Sequence, residues 1–319
     1  MKQEQTVLVT GGAGFIGSHS VEALLADGWT VRVLDNFSTG KRANLPGDRR
    51  LKVIEGDIRD RAAVDQAVAG ATHVLHLAAQ VSVQASVTDP LTSADINVIG
   101  FLNVFDAARR AGAKRVVYAS SAAVYGIPAS LPLDEQAATG PISPYGLEKS
   151  INDQYAALYA NLYAGSALGV RYFNVYGPRQ DPRSPYAGVV SKFVDMARAG
   201  RALTVFGDGL QSRDFVFVKD VAAVNVAALD RTLTGVMNVG TGHSVTLLDM
   251  IAALERVIGK PLERRFAPPQ SGDIRHSAMR PARLADALGF VPETTIDNGL
   301  ATLLADAADA AASTAQATS

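Results

Sequence analysis

Cysteine is absent from this sequence of 319 residues. Disulfide bonds, thiolate metal sites and cysteine nucleophiles are therefore excluded. The five histidines show no spacing typical of metal ligands, and we predict no metal site. They are His19, His73, His76, His243 and His276.

An excess of charge of one sign is also missing. Lys and Arg total 30 and Asp and Glu total 31, so the formal net charge is -1. Such a balance gives no long-range attraction for nucleic acid or for an anionic membrane. We predict no nucleic-acid or membrane partner, and phosphate groups would have to be bound by local features.

Long apolar runs are missing as well. Residues Met1–Gln5 lead directly into a strand pattern without the apolar core of a signal peptide, and no later run is long enough to span a bilayer. The sequence therefore predicts a cytoplasmic protein. Hydrophobic residues make up 48% of the chain, enough for a large core.

Short apolar runs alternate with helix-like segments in the first half. The predicted strands are Thr6–Thr10, Thr30–Leu34, Leu51–Glu55, Thr72–Leu77, Arg115–Ala119 and Ala167–Phe173. The predicted helices are Phe15–Ala26, Arg61–Ala69, Leu91–Ala111 and one that begins near Ser143-Pro144. This alternation predicts an α/β fold with a doubly wound, Rossmann-like parallel sheet.

The composition changes after Gly177-Pro178, where proline and glycine become frequent. We predict a first domain of residues 1–175 plus about 211–240, with Asp214–Val218 and Val236–Val239 returning to the sheet. A smaller, interleaved α/β domain would comprise about 176–210 plus 241–310. Residues 311–319 are Ala-rich and are predicted to form a flexible tail.

A glycine-rich turn follows the first strand and opens a helix. Gly11, Gly14 and Gly17 are spaced three apart: the first permits a tight turn, the second a close approach to a pyrophosphate, and the third close packing of helix on strand. Free N–H groups at the helix N-terminus would face the phosphates. In this strand–turn–helix setting the motif predicts a dinucleotide site.

Asp35 ends the second strand, where a carboxylate can accept both adenine-ribose hydroxyls and repel a 2′-phosphate. This favours NAD over NADP. Lys41 and Arg42 lie close by in the sequence and keep NADP open.

Tyr145 and Lys149 are one helical turn apart, so their side chains share a helix face. A free phenol has a pKa of about 10 and is protonated at neutral pH. A neighbouring ammonium, with the cationic nicotinamide, would lower the pKa of Tyr145 and make it a general base. Ser121, just past a strand end, would share a hydrogen bond with Tyr145 and a substrate alcohol.

Taken together, these motifs resemble the extended short-chain dehydrogenase/reductase family, and within it the UDP-sugar 4-epimerase branch. The resemblance covers nearly the whole chain. Its main marks are Thr10–Gly17, Leu77–Gln80, Ser120–Gly126, Pro144–Lys149, Arg171–Pro182 and Arg213–Val218. Members of that family are commonly homodimers that bind a UDP-sugar.

The resemblance also implies binding residues. In the NAD site, the resemblance adds further residues to the three glycines, Asp35, Tyr145 and Lys149. They are Phe15, Ile16, Asn36, Ser38, Gly40, Asp57, Ile58, Leu77, Ala78, Ala79, Gln80, Asn97, Ser120, Tyr172 and Phe173. In the UDP-sugar site, the resemblance adds further residues to Ser121 and Tyr145. They are Ser82, Ala122, Asn174, Val189, Thr204, Val205, Phe206, Arg213, Arg275 and Ser277. One departure is Gln270, where many relatives have Arg. Arg275 would supply the missing diphosphate contact.

Related dehydratases carry an acid and a base after the catalytic serine or threonine, whereas this chain has Ala122 and Ala123. Neither alanine transfers a proton, so the resemblance implies C4 epimerisation rather than elimination. In the resembling epimerases a Tyr at the position of Ser277 excludes N-acetylated sugars. We therefore predict interconversion of UDP-N-acetylglucosamine and UDP-N-acetylgalactosamine.

Other functions remain open at this point. One is a 4-epimerase of UDP-glucose and UDP-galactose or of UDP-uronates. Another is a nucleotide-sugar dehydrogenase or reductase that releases its cofactor. A third is a regulatory module that binds NAD without turnover.

Overall fold

The computed structural model describes residues 5–182, 188–269 and 274–317. The first half contains β1 (Thr6–Thr10), α1 (Phe15–Ala26), β2 (Thr30–Asp35), β3 (Leu51–Glu55), α2 (Arg61–Val68), β4 (His73–His76), α3 (Val83–Thr88), α4 (Pro90–Ala94), α5 (Phe101–Arg110), β5 (Arg115–Ser121) and α6 (Pro144–Tyr163). The second half contains β6 (Ala167–Tyr172), β7 (Asn174–Tyr176), α7 (Val189–Arg198), β8 (Leu203–Phe206), β9 (Ser212–Phe217), α8 (Val218–Leu229), β10 (Gly235–Val239), β11 (Ser244–Thr246), α9 (Leu247–Ile258), β12 (Arg264–Ala267), α10 (Ala282–Leu288) and α11 (Ile296–Ala317).

Within these residues, seven strands form one parallel sheet in the order β10-β6-β5-β4-β1-β2-β3. One hydrophobic cluster packs on the face covered by α1 and α8, and a second packs on the face covered by α2 and α5. The strands are thus buried on both sides, as the sequence predicts for a Rossmann-like α/β fold. The strand order reverses between β1 and β4, where ligands of open α/β sheets bind.

The return of Asp214–Val218 to the main sheet is a prediction that the structure contradicts. β9 pairs with β7 and β11 in a separate three-stranded sheet of the described chain. Phe215 and Phe217 pack in a third hydrophobic cluster, beneath α7 and α9. Buried strands of different sheets have the same apolar pattern, so the sequence could not show which sheet β9 joins. β10 does join the main sheet, as predicted.

The single helix predicted at Leu91–Ala111 is interrupted. Between α4 and α5 the chain forms a π-helical segment, Asp95–Gly100. Such wider turns are frequent at functional sites, and this one turns Asn97 inward. At the other end of the chain, α11 continues to Ala317, through most of the stretch predicted to be a tail. None of the described helices is long and apolar enough to cross a membrane.

The glycine turn supplies a test of the fold. A Cβ on Gly17 would lie 2.1 Å from the Gly11 carbonyl oxygen, which is backbone and cannot move aside. We expect Gly17→Ala to lower the free energy of unfolding by about 2 kcal/mol or more, measured by urea denaturation. Gly47→Ala is the control, since nothing lies within 4 Å of its Cβ. Equal stability of the two variants would contradict close packing at this turn.

Candidate active site

The glycine turn lies at the carboxyl end of β1, against the end of β4. Gly11 has a φ of +68°, and a Cβ there would come within 2.7 Å of the Ala78 nitrogen. Gly14 precedes α1 as its N-cap, and Phe15 and Ile16 form the first turn of that helix. The free backbone N–H groups of this turn open on the crevice between β1 and β4, where they suit a pyrophosphate.

Asp35 has a structural role that the sequence did not reveal. Its carboxylate is buried and accepts hydrogen bonds from the Ala13 nitrogen at 2.9 Å and the Phe37 nitrogen at 2.8 Å. Gly40 passes so close that a Cβ there would lie 2.9 Å from Asp35 Oδ1. Asp35 thus holds the glycine turn and the loop after β2 together. Each carboxylate oxygen has a further lone pair with which to meet a ribose hydroxyl.

The residues implied for the adenine side cluster at the ends of β2 and β3. Asn36 donates to Asp57 at 2.9 Å and accepts from Ser38 at 2.8 Å. The Arg59 guanidinium holds the pKa of Asp57 well below its usual range. Ile58 is buried against Gly100, where a Cβ would lie 2.6 Å away. The structure brings this group together as predicted.

The loop after β4 is clamped by Asn97. The Gln80 nitrogen donates to Asn97 Oδ1 at 2.9 Å, and Asn97 Nδ2 donates to the Gln80 carbonyl oxygen at 2.8 Å. Leu77, Ala78 and Ala79 precede Gln80 and border the same crevice. Asn97 side-chain atoms are therefore occupied by the protein, and Asn97 acts on a dinucleotide through this loop.

Tyr145, Lys149 and Ser121 meet where α6 crosses the end of β5. The Lys149 ammonium donates to the Ala119 carbonyl oxygen at 3.0 Å and lies 5.8 Å from the centre of the Tyr145 ring. The Ser121 hydroxyl lies close enough to the Tyr145 hydroxyl to lower its pKa. Ser143 caps α6 by accepting from the Gly146 nitrogen, and Pro144 occupies its first turn. The cap fixes where the helix starts and so where Tyr145 points.

The protein alone does not lower the pKa of Tyr145, contrary to what the Tyr-x-x-x-Lys spacing suggested. Burial raises this pKa, the hydrogen bond to Ser121 lowers it, and Glu148 raises it further. Burial also lowers the pKa of Lys149 to about 8, against the opposing effects of Asp153 and Glu148. Desolvation therefore dominates both groups. Bound NAD supplies the hydride acceptor and a cationic ring that favours the phenolate.

Three predicted cofactor residues lie at the ends of β5 and β6. Ser120 and Phe173 are buried there. The Tyr172 hydroxyl donates to Asn225 on α8 at 2.7 Å, and its ring belongs to the cluster beneath α1 and α8. The Tyr172 side chain therefore faces the core, and only its backbone can border a nicotinamide.

The predicted sugar side contains small and polar groups. Ala122 follows Ser121 directly and is half-buried. Ser82 is buried, and its hydroxyl caps α3 by accepting from the Ala85 nitrogen at 2.9 Å. Asn174 and Val189 line one cleft together with Gln180 and Phe215.

The residues predicted for the nucleotide lie outside the main sheet, on β8, on β9 and in the segment after β12. Val205 is buried in the core, whereas Thr204 and Phe206, on either side of it in β8, are partly exposed. Arg213 donates to the Ser212 carbonyl oxygen at 2.8 Å. Ser277 is held beside them, because its nitrogen donates to the same oxygen at 3.0 Å.

Arg275 is engaged elsewhere in this structure. Its guanidinium binds both carboxylate oxygens of Asp208 at 2.7 Å, and Asp208 has its pKa lowered to about 2 as a result. A diphosphate would have to compete with Asp208 for this cation. Gln270, where relatives have Arg, lies outside the described residues.

Comparison with known proteins agrees with this geometry. The model of the NAD-dependent epimerase/dehydratase family matches residues 7–240. The chain belongs to this family. It is accordingly an NAD-dependent epimerase, an isomerase, and the cofactor predicted from Asp35 is confirmed as NAD rather than NADP.

Curated members of the family align over almost the whole chain. A UDP-glucose 4-epimerase of Mycolicibacterium smegmatis is 40% identical over 300 residues, with 92% of this chain and 96% of the relative covered. A UDP-glucose 4-epimerase of Rhizobium leguminosarum bv. trifolii is 36% identical over 307 residues, with 91% and 93% covered.

Solved structures of family members superpose closely. A UDP-N-acetylglucosamine 4-epimerase of Methanobrevibacter ruminantium, in complex with UDP-N-acetylmuramic acid, has a TM-score of 0.93 at 36% identity and covers 97% of this chain and 100% of its own. A Thermotoga maritima UDP-glucose 4-epimerase with UDP-glucose has a TM-score of 0.92 at 35% identity, covering 96% and 100%. A Thermus thermophilus UDP-glucose 4-epimerase complex with NAD has a TM-score of 0.87 at 39% identity, covering 95% and 98%.

Sequence reasoning missed two buried carboxylates on α6, Glu148 and Asp153. Asp153 pairs with Arg171 at 3.0 Å and accepts from the Tyr118 hydroxyl at 3.0 Å. A signal was present, since Asp153 lies one turn after Lys149 and therefore on the same helix face. Glu148 carries no such signal, because nothing in the sequence shows that its face of α6 is covered.

The base assigned to this site can be tested directly. Tyr145→Phe removes the only hydroxyl that α6 places beside Ser121, and we expect turnover to fall by about 10²–10⁴-fold or more. Bound NAD, measured after denaturing the purified enzyme, should remain at the wild-type level. Tyr155→Phe, on the exposed side of the same helix, is the matched control and should retain activity. Wild-type turnover in Tyr145→Phe would remove this base from the mechanism.

Proposed function

We propose that this protein interconverts UDP-sugars that differ at C4, with UDP-N-acetylglucosamine and UDP-N-acetylgalactosamine as its preferred pair. The observation that carries the epimerase part is the joint placement of Tyr145, Lys149 and Ser121 at the end of β5, above the crevice for NAD. The small side chain of Ser277, whose backbone nitrogen donates to the Ser212 carbonyl oxygen next to Arg213, supports the choice of sugar.

The residues present account for each proton transfer. Tyr145 takes the proton of the C4 hydroxyl while the C4 hydride passes to NAD, and Ser121 donates a hydrogen bond to the same oxygen. Lys149, fixed by the Ala119 carbonyl oxygen, keeps a positive charge near the phenolate. The 4-keto-sugar then turns its other face, the hydride returns, and Tyr145 gives the proton back. Atoms and electrons balance, and NAD is regenerated in each cycle.

The two positions after Ser121 lack the acid and the base that elimination of water needs. Ala122 and Ala123 follow Ser121 in the short turn after β5, and neither side chain can act as acid or base. Water therefore cannot be removed with help from this position, which favours epimerisation over dehydration.

Unsubstituted hexoses are the second candidate substrate. The curated relatives are named UDP-glucose 4-epimerases, as is the Thermotoga protein, whereas the Methanobrevibacter protein is a UDP-N-acetylglucosamine 4-epimerase. An N-acetyl group is small, and a pocket that gains or loses space for one such group discriminates by only about 1–3 kcal/mol. Measured rates must decide between the two pairs.

Four substrates resolve this question: UDP-glucose, UDP-galactose and their two N-acetylated analogues. Each is incubated with enzyme without added NAD, and products are separated by chromatography. We expect epimers from all tested N-acetylated sugars with a kcat/KM at least several-fold above that of the plain hexoses, and no net NADH. Net NADH would indicate a dehydrogenase, and bound NAD without any product would indicate a regulatory module. A preference for plain hexoses would contradict our choice of sugar.

Ser277 can be tested by changing its size. Ser277→Tyr should reduce kcat/KM for the N-acetylated pair by about 10-fold or more and leave the plain pair within a few-fold, because the added ring fills the space for the acetyl group. Ser277→Ala, which keeps the site small, is the control and should follow the wild type. Equal losses for both pairs in Ser277→Tyr would show that Ser277 does not select the sugar.

We also propose that the protein is a homodimer. The outer face of α6 carries an exposed apolar stripe at helical spacing, and neighbouring α4 carries another exposed leucine. The stripe comprises Leu147, Tyr155, Leu158 and Leu162, and the leucine on α4 is Leu91. Exposed apolar surface of this extent on one helix is typical of an interface, and a self-complementary face gives a two-fold dimer.

A charge in the stripe should split the dimer. Leu158→Glu would bury a carboxylate against apolar side chains of the second copy, so we expect light scattering during size-exclusion chromatography to report the monomer mass. Ile127→Glu, at an exposed apolar residue outside the stripe, should leave the mass of the dimer unchanged. A wild-type protein that runs as a monomer would contradict the proposal outright.

A further inference from the structure

The mechanism above leaves one buried group of the active-site helix unused. Glu148 lies between Tyr145 and Lys149 in the sequence, and only 4% of it is exposed. Its Oε2 accepts hydrogen bonds from the Ser93 hydroxyl at 2.9 Å and from Asn97 Nδ2 at 2.6 Å. Burying a carboxylate is costly, so its retention beside the reacting groups calls for a reason.

The Asn97 contact leads to the cofactor loop. Asn97 Nδ2 has two protons: one goes to the Gln80 carbonyl oxygen and the other to Glu148. A carboxylate only accepts hydrogen bonds, so Glu148 requires the NH₂ end of the amide to face it. The oxygen end is then presented to the Gln80 nitrogen. Glu148 thus sets the orientation in which the Asn97 amide forms its two hydrogen bonds with Gln80, in the loop after β4.

The same carboxylate lacks a cation of its own. Asp153, the other buried carboxylate of α6, is paired with Arg171 on β6 at 3.0 Å. Among the described residues no cation lies within ion-pair distance of Glu148, and its Oε1 accepts no hydrogen bond from them. The charge of Glu148 is therefore felt by its neighbours on the helix, Tyr145 and Lys149.

We propose that Glu148 is a positioning residue of the active site, whose carboxylate fixes the Asn97 amide against the Gln80 peptide and places a negative charge beside Tyr145 and Lys149. The proposal rests on the NAD-dependent epimerase activity and not on the choice of sugar. It gives Glu148 two separable effects. The length of its side chain positions Asn97 and the cofactor loop, and its charge acts on proton transfer.

The charge effect has a definite sign. Two other ionisable groups lie around the pair. Asp153, although paired with Arg171, also raises the pKa of Lys149, and this effect stays constant when Glu148 is changed. His76 on β4 stays neutral, because burial lowers its pKa to about 3. Glu148 raises the pKa of Tyr145 and that of Lys149. Removing its charge lowers both. The acid limb of activity, set by the base, and the alkaline limb, set by loss of the ammonium, then both move to lower pH.

Glu148→Gln keeps the size of the side chain and removes the charge. We expect both midpoints of the pH profile of kcat/KM to fall by roughly half a pH unit or more. A second readout needs no substrate: phenolate absorbance of the holoenzyme is titrated, with Tyr145→Phe as the blank that isolates the Tyr145 signal. The Tyr145 midpoint should fall by a similar amount. Midpoints that match the wild type, even with a lower rate, would overturn the charge effect.

Two further variants separate charge from structure. Ser93→Ala removes the other donor to the same oxygen and keeps the charge, so its midpoints should stay at the wild-type values; a shift as large as that of Glu148→Gln would contradict the proposal. Glu148→Asp keeps the charge but retracts it from Asn97. Its NAD dissociation constant, measured by calorimetry, should rise roughly threefold or more with midpoints unchanged. Wild-type NAD affinity in Glu148→Asp would overturn the positioning effect, whether or not Glu148→Gln folds.

Discussion

The buried ammonium of Lys149 is the charge around which the active site is arranged. Burial lowers the pKa of Lys149 to about 8, although two carboxylates on the same helix raise it. The protein holds the ammonium by a hydrogen bond to the Ala119 carbonyl oxygen and by the fields of Asp153 and Glu148. Tyr145 is half-buried beside it, and burial raises the pKa of this phenol in the protein alone. The cationic nicotinamide of bound NAD would favour the phenolate, which would couple the strength of the base to the presence of the cofactor.

Coupling of this kind needs the cofactor loop and the catalytic helix to be fixed relative to each other. The π-helical segment between α4 and α5 supplies the connection. Its Asn97 is bonded to the Gln80 peptide on one side and to α6 on the other, and its Gly100 lets Ile58 pack close to the helix. One irregular turn therefore contacts the loop after β4, the loop after β3 and the catalytic helix. A regular helix would turn Asn97 to a different face and break this junction.

Much of the fold and the reacting groups could be predicted from the sequence, because local patterns determine them. The glycine spacing, the cap Ser143-Pro144 and the turn from Tyr145 to Lys149 each depend on neighbours in the chain. What escaped prediction depends on distant partners. Four features that join residues far apart in sequence escaped prediction. They are the pairing of β9 with β7, the hydrogen bond from Ala13 to Asp35, the contact of Tyr172 with Asn225 and the ion pair of Arg275 with Asp208. The effect of burial on the pKa of Tyr145 also lay beyond the sequence, since spacing gives the distance to a charge but not the loss of solvent.

Ser277, which we propose as the selector of the sugar, lies in a different part of the molecule from the reacting groups. The reacting groups stand on the main parallel sheet, whereas Ser277 and Arg213 are tied to the second, smaller sheet through the Ser212 carbonyl oxygen. On our proposal, a change of side chain at Ser277 alters the space around the sugar and leaves α6 and the glycine turn as they are. A UDP-glucose 4-epimerase and a UDP-N-acetylglucosamine 4-epimerase both share this fold, with TM-scores of 0.92 and 0.93. Substrate selectivity can therefore vary within the family while the arrangement around Lys149, which the chemistry requires, stays as it is.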